Sequence, residues 1–274
     1  MNIIELNRFF KTMFPKDFGT DSGVFICSAY RKKYMDSETL ARIKMNQESS
    51  MAKKIYLRKN TPSRIVSAMR ELTDTSVILT VDDQRIPEDS LVVYVSTGKA
   101  DNVKAYMEFK KSLSDVEFEI MSKTAIGSRD FEHAFHRLNK IDSIWYSSLQ
   151  KCSKPEWIDY DIDIENPESE ECSIDRYREY VSETMDNITK DRKCRYLIIN
   201  THGGVHILLH KKDAVFSKDF NPKTIELDLQ SILLDITKEV KINSSNMVPC
   251  PGTFQGGYLV NFKEVNKMTE PLSH

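Results

Sequence analysis

Trp157-Ile158-Asp159-Tyr160-Asp161-Ile162-Asp163-Ile164-Glu165 alternates apolar side chains with carboxylates residue by residue. That period of two marks a half-buried strand, in which successive side chains point to opposite faces. The four carboxylates therefore share one face. Like charges two residues apart repel and Asp has low β-propensity, so such a face is disfavoured unless something positive meets it. A divalent cation with hard oxygen ligands, Mg²⁺ or Mn²⁺, answers that need; a polar edge strand is the plainer alternative.

The chain has 274 residues, room for one large domain or two small ones packed together. With 40% hydrophobic and 29% charged residues it reads as soluble and globular. No apolar run approaches the roughly 20 residues of a membrane span, so no membrane partner is expected. Glu5, Arg8 and Lys11 among the apolar residues of 1–13 make that stretch an amphipathic helix rather than a signal peptide. Five cysteines, at 27, 152, 172, 194 and 250, are scattered without CxxC spacing. This points to a reducing, cytoplasmic compartment (the host cytoplasm for a phage-encoded protein) and against structural zinc. Thirty-nine Lys and Arg against 41 Asp and Glu give a net charge of -2, which argues against a bulk basic coat for nucleic acid. A local basic groove remains open, because charge acts over a Debye length of about 8 Å.

Outward from the acidic strand, the N-terminal half alternates helices and strands. Helices are predicted over 2–13, 37–50 and 63–72, and strands over 24–29, 76–81, 90–96 and 116–121, with 51–57 left between the two types. A helix over 100–113 is expected to turn Val103, Tyr106, Met107 and Leu113 inward, and a long one over 130–150 to bury Phe131, Phe135, Leu138, Ile141, Ile144 and Trp145. His133 and His136 on that helix read as surface or packed histidines, because no carboxylate motif at matching spacing supports a metal role. Beyond the acidic strand come a helix over 173–191 with Tyr177, Tyr180, Val181 and Met185 inward, strands over 194–200 and 205–210, a helix over 224–236 and a strand over 259–262. Strand, helix, strand, strand is the opening order of a ferredoxin-like or RNA-recognition-type module. The expected fold class is α/β (α+β): an N-terminal α/β module, residues 1–150, packed on a C-terminal RRM-like, ferredoxin-like module, residues 151–274.

Two further stretches join the acidic strand in carrying chemistry. In Thr201-His202-Gly203-Gly204-Val205-His206, the glycine pair is expected to free the backbone for positive φ and let a phosphate approach main-chain N–H groups. His206 opens the next strand and shares a face with Leu208 and His210. The other stretch is the Pro/Gly-rich turn over 249–258. Carboxylates that hold metal ions, beside a histidine that donates to a phosphate oxygen, form a nucleotidyl-transfer set.

In combination these residues resemble the archaeo-eukaryotic primase (AEP) superfamily of small primase subunits and primase-polymerases. Its Asp-x-Asp on an apolar strand is matched by Tyr160-Asp161-Ile162-Asp163-Ile164, and its Ser-Gly-x-Gly-x-His-like hairpin by 201–206. Its lone Asp after an apolar stretch is matched by Leu233-Leu234-Asp235, and its Leu-Pro-Gly-Ser/Thr segment by Pro251-Gly252-Thr253-Phe254-Gln255-Gly256-Gly257. The likeness covers residues 155–262.

The resemblance implies a DNA primase or primase-polymerase, a metal-dependent nucleotidyltransferase using NTPs or dNTPs on a single-stranded DNA template. Asp161, Asp163 and Asp235 would be the catalytic carboxylates holding two Mg²⁺ or Mn²⁺ ions, and Thr201, Gly203, Gly204 and His206 the nucleotide site. Arg31, Lys32, Lys33 and Tyr34 are candidate template contacts, with a solvated strand end as the plainer reading. Asp228 competes with Asp235 for the third carboxylate. A 159/161 metal pair competes with 161/163, which is preferred because Tyr160, Ile162 and Ile164 flank it as a better buried strand. The family often carries a base before its Pro-Gly segment, but Ser245-Asn246-Met247-Val248 offers none. Lys238, Lys241 and Lys211 are the available substitutes. No GxxxxGK[ST] motif occurs, so a separate helicase partner is expected. The alternatives are a two-metal nuclease and a catalytically idle replication or scaffold protein.

Overall fold

Two antiparallel sheets organise the chain, seen in a computed structural model that describes residues 1–16, 18–43, 49–74, 87–125, 141–164, 174–243 and 245–267. The first part runs α1 (Ile3–Met13), β1 (Ser22–Arg31), α2 (Ser37–Ile43), β2 (Ser49–Leu57), α3 (Pro62–Thr73), β3 (Leu91–Ser96), β4 (Gly98–Asp101) and α4 (Asn102–Ala125). Next come α5 (Ile141–Lys151), β5 (Ser153–Pro155), β6 (Trp157–Ile164), α6 (Ile174–Ile188), β7 (Arg195–Asn200) and β8 (Gly204–His210). The chain then forms α7 (Pro222–Ile232), β9 (Thr237–Ile242), β10 (Met247–Pro249), β11 (Phe254–Gln255), β12 (Tyr258–Leu259) and β13 (Asn261–Asn266). Among the described residues no helix is long and apolar enough to cross a membrane.

The acidic stretch is β6, and it lies inside the second sheet, ordered β13-β7-β8-β6-β9. Its apolar face does what the alternation requires. Ile158, Tyr160, Ile162 and Ile164 are buried with Val181 and Met185 of α6 and Ile225 and Leu229 of α7. Each such side chain taken from water contributes about 2 kcal/mol, which offsets the weak β-propensity of the intervening Asp residues. α7 starts sharply because Asn221 and Thr224 form a capping box that spans Pro222 in the first turn.

Part of the opposite face is apolar too. Trp157, Leu197, Ile199 and Leu208 enter one core with α1 (Leu6, Phe9, Phe10), α3 (Ile65, Met69, Leu72), β1 (Val24, Ile26) and β3 (Val93, Val95). This core joins the second sheet to the first, ordered β10-β3-β1-β4-β5 with β2 on β1. β5 and β10 lie beyond residue 150 and pair with β4 and β3, so two strands from the expected C-terminal module belong to the first sheet.

The general α/β class holds, in the form of mixed helices and antiparallel sheets, while several local expectations are corrected. The expected strand 116–121 is part of α4. Ala105 and Val116, eleven residues or three turns apart, form its buried face, while Phe118 is 72% exposed. For the same reason Val103 and Met107, expected inside, are 62% and 64% exposed, and Tyr106 is also exposed. Ile141 and Tyr180 likewise face outward. Residues 49–50, expected to end a helix, begin β2, which settles 51–57 as strand. The helix expected to run to 236 ends at Ile232. β9, where no strand was expected, follows it. The expected strand 76–81, the residues Phe131, His133, Phe135, His136 and Leu138, and Glu165 lie outside the described residues.

Candidate functional site

The ladder between β6 and β8 sets Asp161 opposite His206 and Asp163 opposite Gly204. On its other side β9 sets Lys241 beside Asp161 and Glu239 beside Asp163. Cross-strand partners share a sheet face, so these six positions stand on one surface with Asp159. A cleft of about 420 Å³ opens over that surface. The second sheet lines it with Asp161, Asp163, Thr201, Gly203, His206 and Lys241, and the first sheet with Cys27, Ala29, Arg31 and Tyr94. Lys33, just after β1, Asn243 and Gln255 line it as well.

His206 is held from behind. Its Nδ1 lies 3.1 and 3.2 Å from the two oxygens of Asp159, and its Nε2 3.6 Å from Asp161 Oδ1. Asp159 is only 3% exposed and accepts a further bond from Asn243 Nδ2 at 2.8 Å. Burial alone would lower the imidazole pKa, but the carboxylates of Asp159, Asp161 and Asp163 outweigh it and raise the value to about 9. His206 is therefore an imidazolium at neutral pH, and both ring nitrogens are donors.

The hairpin between β7 and β8 is braced on three sides. Thr201 donates both its N–H and its hydroxyl to the Gly204 carbonyl, each at 3.0 Å. The buried guanidinium of Arg178 donates to the carbonyls of Thr201 and His202 and lies 4.2 Å over the Tyr258 ring. Gln255 Oε1 accepts from the His202 N–H at 3.2 Å. Neither glycine has positive φ, which corrects the expectation for this turn. Gly204 is required for a different reason: a Cβ there would meet the Ile162 carbonyl oxygen at 2.2 Å, so only glycine lets β8 lie this close to β6. Positive φ occurs instead at Gly256 and Gly257, at +57° and +77°, the central pair of the tight β11–β12 hairpin.

Of the sequence-derived site residues, the fold brings Asp161, Asp163, Thr201, Gly203, His206, Arg31 and Lys33 to the cleft, with Gly204 in the ladder beneath. Asp235 is exposed in the turn before β9, and Asp228 is exposed on α7; neither lines the cleft. Glu239, which β9 places next to Asp163, is likewise outside the cleft lining and lies 3.5 Å from Lys241 Nζ. Lys32 is not part of the cleft wall, and Tyr34 is a buttress, its ring edge-on to His202 with centroids 5.2 Å apart. Of Lys241 and Lys211, only Lys241 reaches the cleft. The Pro/Gly-rich turn anchors α1 through Gly252, whose carbonyl accepts from the Asn2 N–H at 2.7 Å.

Among the described residues no preassembled group of three or more His, Cys, Asp or Glu surrounds a metal position. The donor set fits Mg²⁺ or Mn²⁺ all the same. Mg²⁺ keeps several waters and is held by one or two carboxylates together with substrate phosphates, which is what Asp161 and Asp163 on an open face can supply. Asp159 is already committed to His206 and Asn243, which leaves 161 and 163 as the available pair.

Sequence reasoning missed Glu239, Asn243 and Tyr94. For Glu239 the signal was present: Thr237, Glu239 and Lys241 alternate with Val240 and Ile242 at the strand period. Comparison of the chain with protein-family models, curated proteins and solved structures returns no match.

Proposed function

We propose that this chain is a metal-dependent nucleotidyltransferase of the primase-polymerase type, extending or starting strands on single-stranded DNA from NTPs or dNTPs. The observation that carries the reading is the meeting in one cleft of Asp161, Asp163, a protonated His206 and the 201–204 hairpin. The order β9-β6-β8-β7, with α6 after β6 and α7 after β8, supports the finer fold reading, since it is the strand order of a ferredoxin-like or RRM-like unit.

In this reading Asp161 and Asp163 hold the divalent cation, with Glu239 available from the neighbouring strand. The cation, when bound, neutralises the triphosphate and favours ionisation of the attacking 3′-hydroxyl. His206 donates from Nε2 to a phosphate oxygen, and Asp159 keeps it charged and aimed. Arg178 and Gln255 fix the hairpin so that this donor does not reorganise during the reaction, the condition under which fixed charges contribute most. Strand opening falls to a separate helicase.

The test is strand synthesis on single-stranded DNA with Mg²⁺ or Mn²⁺ and each nucleotide set, with and without primer. Wild type is expected to give metal-dependent product, and Asp161→Ala/Asp163→Ala to lose it by a thousandfold or more, on the order of 4 kcal/mol in the barrier. Degradation of the template without nucleotides would identify a two-metal nuclease instead. Silence in every lane, with single-strand binding intact, would identify an idle scaffold.

A further inference from the structure

The cleft has a second wall that carries cations and no carboxylate. Arg31 ends β1, and its Nη1 donates to the Tyr94 hydroxyl at 2.9 Å. Its Nε is buried without a hydrogen-bond partner, and the residue lines the cleft. Two residues on, the Lys33 ammonium stands 3.8 Å from where a Cβ on Gly203 would lie, directly over the glycine hairpin. Among the described residues neither cation makes an ion pair with a carboxylate, although Asp161 and Asp163 line the same cleft. Arg31, Lys33 and Tyr94 line the same cleft as Asp161 and Asp163.

Two cations without a carboxylate partner, facing Asp161 and Asp163 across one cleft, leave room for a compact, multiply charged anion that also touches a divalent ion. We propose that Arg31 and Lys33, with His206, form a polyphosphate subsite, taking the tail of a nucleoside triphosphate from the side of the first sheet. This rests on the nucleotidyltransferase reading and reassigns the two residues from the template to the nucleotide. A template strand, with one charge per nucleotide, calls for a basic track along a groove. The arrangement here is a cluster instead: Lys32, between the two in sequence, is not in the cleft wall.

The experiment is calorimetric titration of the full chain in Mg²⁺ with inorganic tripolyphosphate, and separately with a single-stranded oligonucleotide, for wild type, Lys33→Gln, Arg31→Gln and Lys32→Gln. Charge-assisted hydrogen bonds to phosphate predict that Lys33→Gln and Arg31→Gln each weaken tripolyphosphate by about tenfold or more. Lys32→Gln is expected to leave it unchanged, and all three to leave oligonucleotide affinity within about threefold. Lys33 is exposed, so its variant tests the subsite even where Arg31→Gln fails to fold. Absence of tripolyphosphate binding by wild type, an unchanged affinity in Lys33→Gln, or a parallel tenfold loss for the oligonucleotide overturns the proposal. Strand synthesis measured beside it separates the two readings. Tripolyphosphate bound through Lys33 with no synthesis keeps the subsite and removes the polymerase. Synthesis with an unchanged nucleotide KM in Lys33→Gln keeps the polymerase and removes the subsite.

Discussion

Along the wall that β6 presents, Asp159, Asp161 and Asp163 stand on one strand face within five residues, whereas the wall opposite takes Arg31 and Tyr94 from positions 63 residues apart. The first wall also grades from back to front. Asp159 is buried and fully engaged, Asp161 is partly exposed beside His206, and Asp163 is open to solvent. Three chemically identical carboxylates thus have three environments, and what differs is depth in the cleft. The lesson is that a strand can carry a charged face through a core when its inner member is paired and its outer members meet solvent or an ion.

That gradient can be broken at its inner end. Asp159→Ala leaves the buried His206 and the Asn243 amide without their acceptor and is expected to cost about 3 to 5 kcal/mol, read from urea denaturation. Asp163→Ala is expected to change stability by less than about 0.5 kcal/mol, as for other exposed positions. Equal losses at the two sites would erase the distinction between them.

Close approach supplies a second contrast, between Gly204 and Gly203. Gly204→Ala drives a Cβ onto the Ile162 carbonyl and is expected to cost about 2 to 3 kcal/mol, a fall in Tm of roughly 4 to 12 °C. Gly203→Ala meets nothing nearer than Lys33 Nζ at 3.8 Å and is expected to lower Tm by only a few degrees at most. Thermal melts of the two variants side by side check this.

The pH dependence sharpens the role of Asp159. The His206 pKa rises from 6.5 to about 9 on folding, so its proton binds the folded state more tightly than the unfolded one. The resulting stabilisation is complete below pH 6.5 and is lost as pH rises from 6.5 to 9. Urea melts of the metal-free protein at pH 6, 7.5 and 9 are expected to show that decline, and Asp159→Asn to flatten most of it. A wild-type curve that is level across this range would refute the ion pair.

The smallest expected effect lies at the outer end, where Glu239 flanks Asp163. Glu239→Gln is expected to weaken Mn²⁺ by about tenfold in calorimetry, whereas Asp235→Asn leaves it unchanged. The reverse ranking would restore the carboxylate favoured by sequence alone.

Much of the first wall was legible in the chain. Strand period alone put Asp161 and Asp163 on one face and His206 at the glycine end of the next strand, while the ladder set His206 opposite Asp161. Asp235 follows an apolar pair, a pattern that looks the same in the turn after a helix as in a cleft wall, and the fold leaves it exposed before β9. The interior of α4 was misjudged for a related reason. Its sparse buried positions, Ala105 and Val116, carry little hydrophobic signal, while Val103, Met107 and Phe118 carry much and point outward.

What the sequence determined by itself is what a local period can encode: β6, its acid face, its apolar face, and the glycine hairpin that follows. Backbone geometry alternates side chains whatever the rest of the molecule does. The depth of Asp159, the burial-opposed charge on His206 and the cationic wall of Arg31 and Lys33 were decided only when the shared core of α1, α3, β1, β3 and the second sheet brought distant segments together. Burial and field depend on neighbours from every packed element, and no stretch of chain carries that information alone.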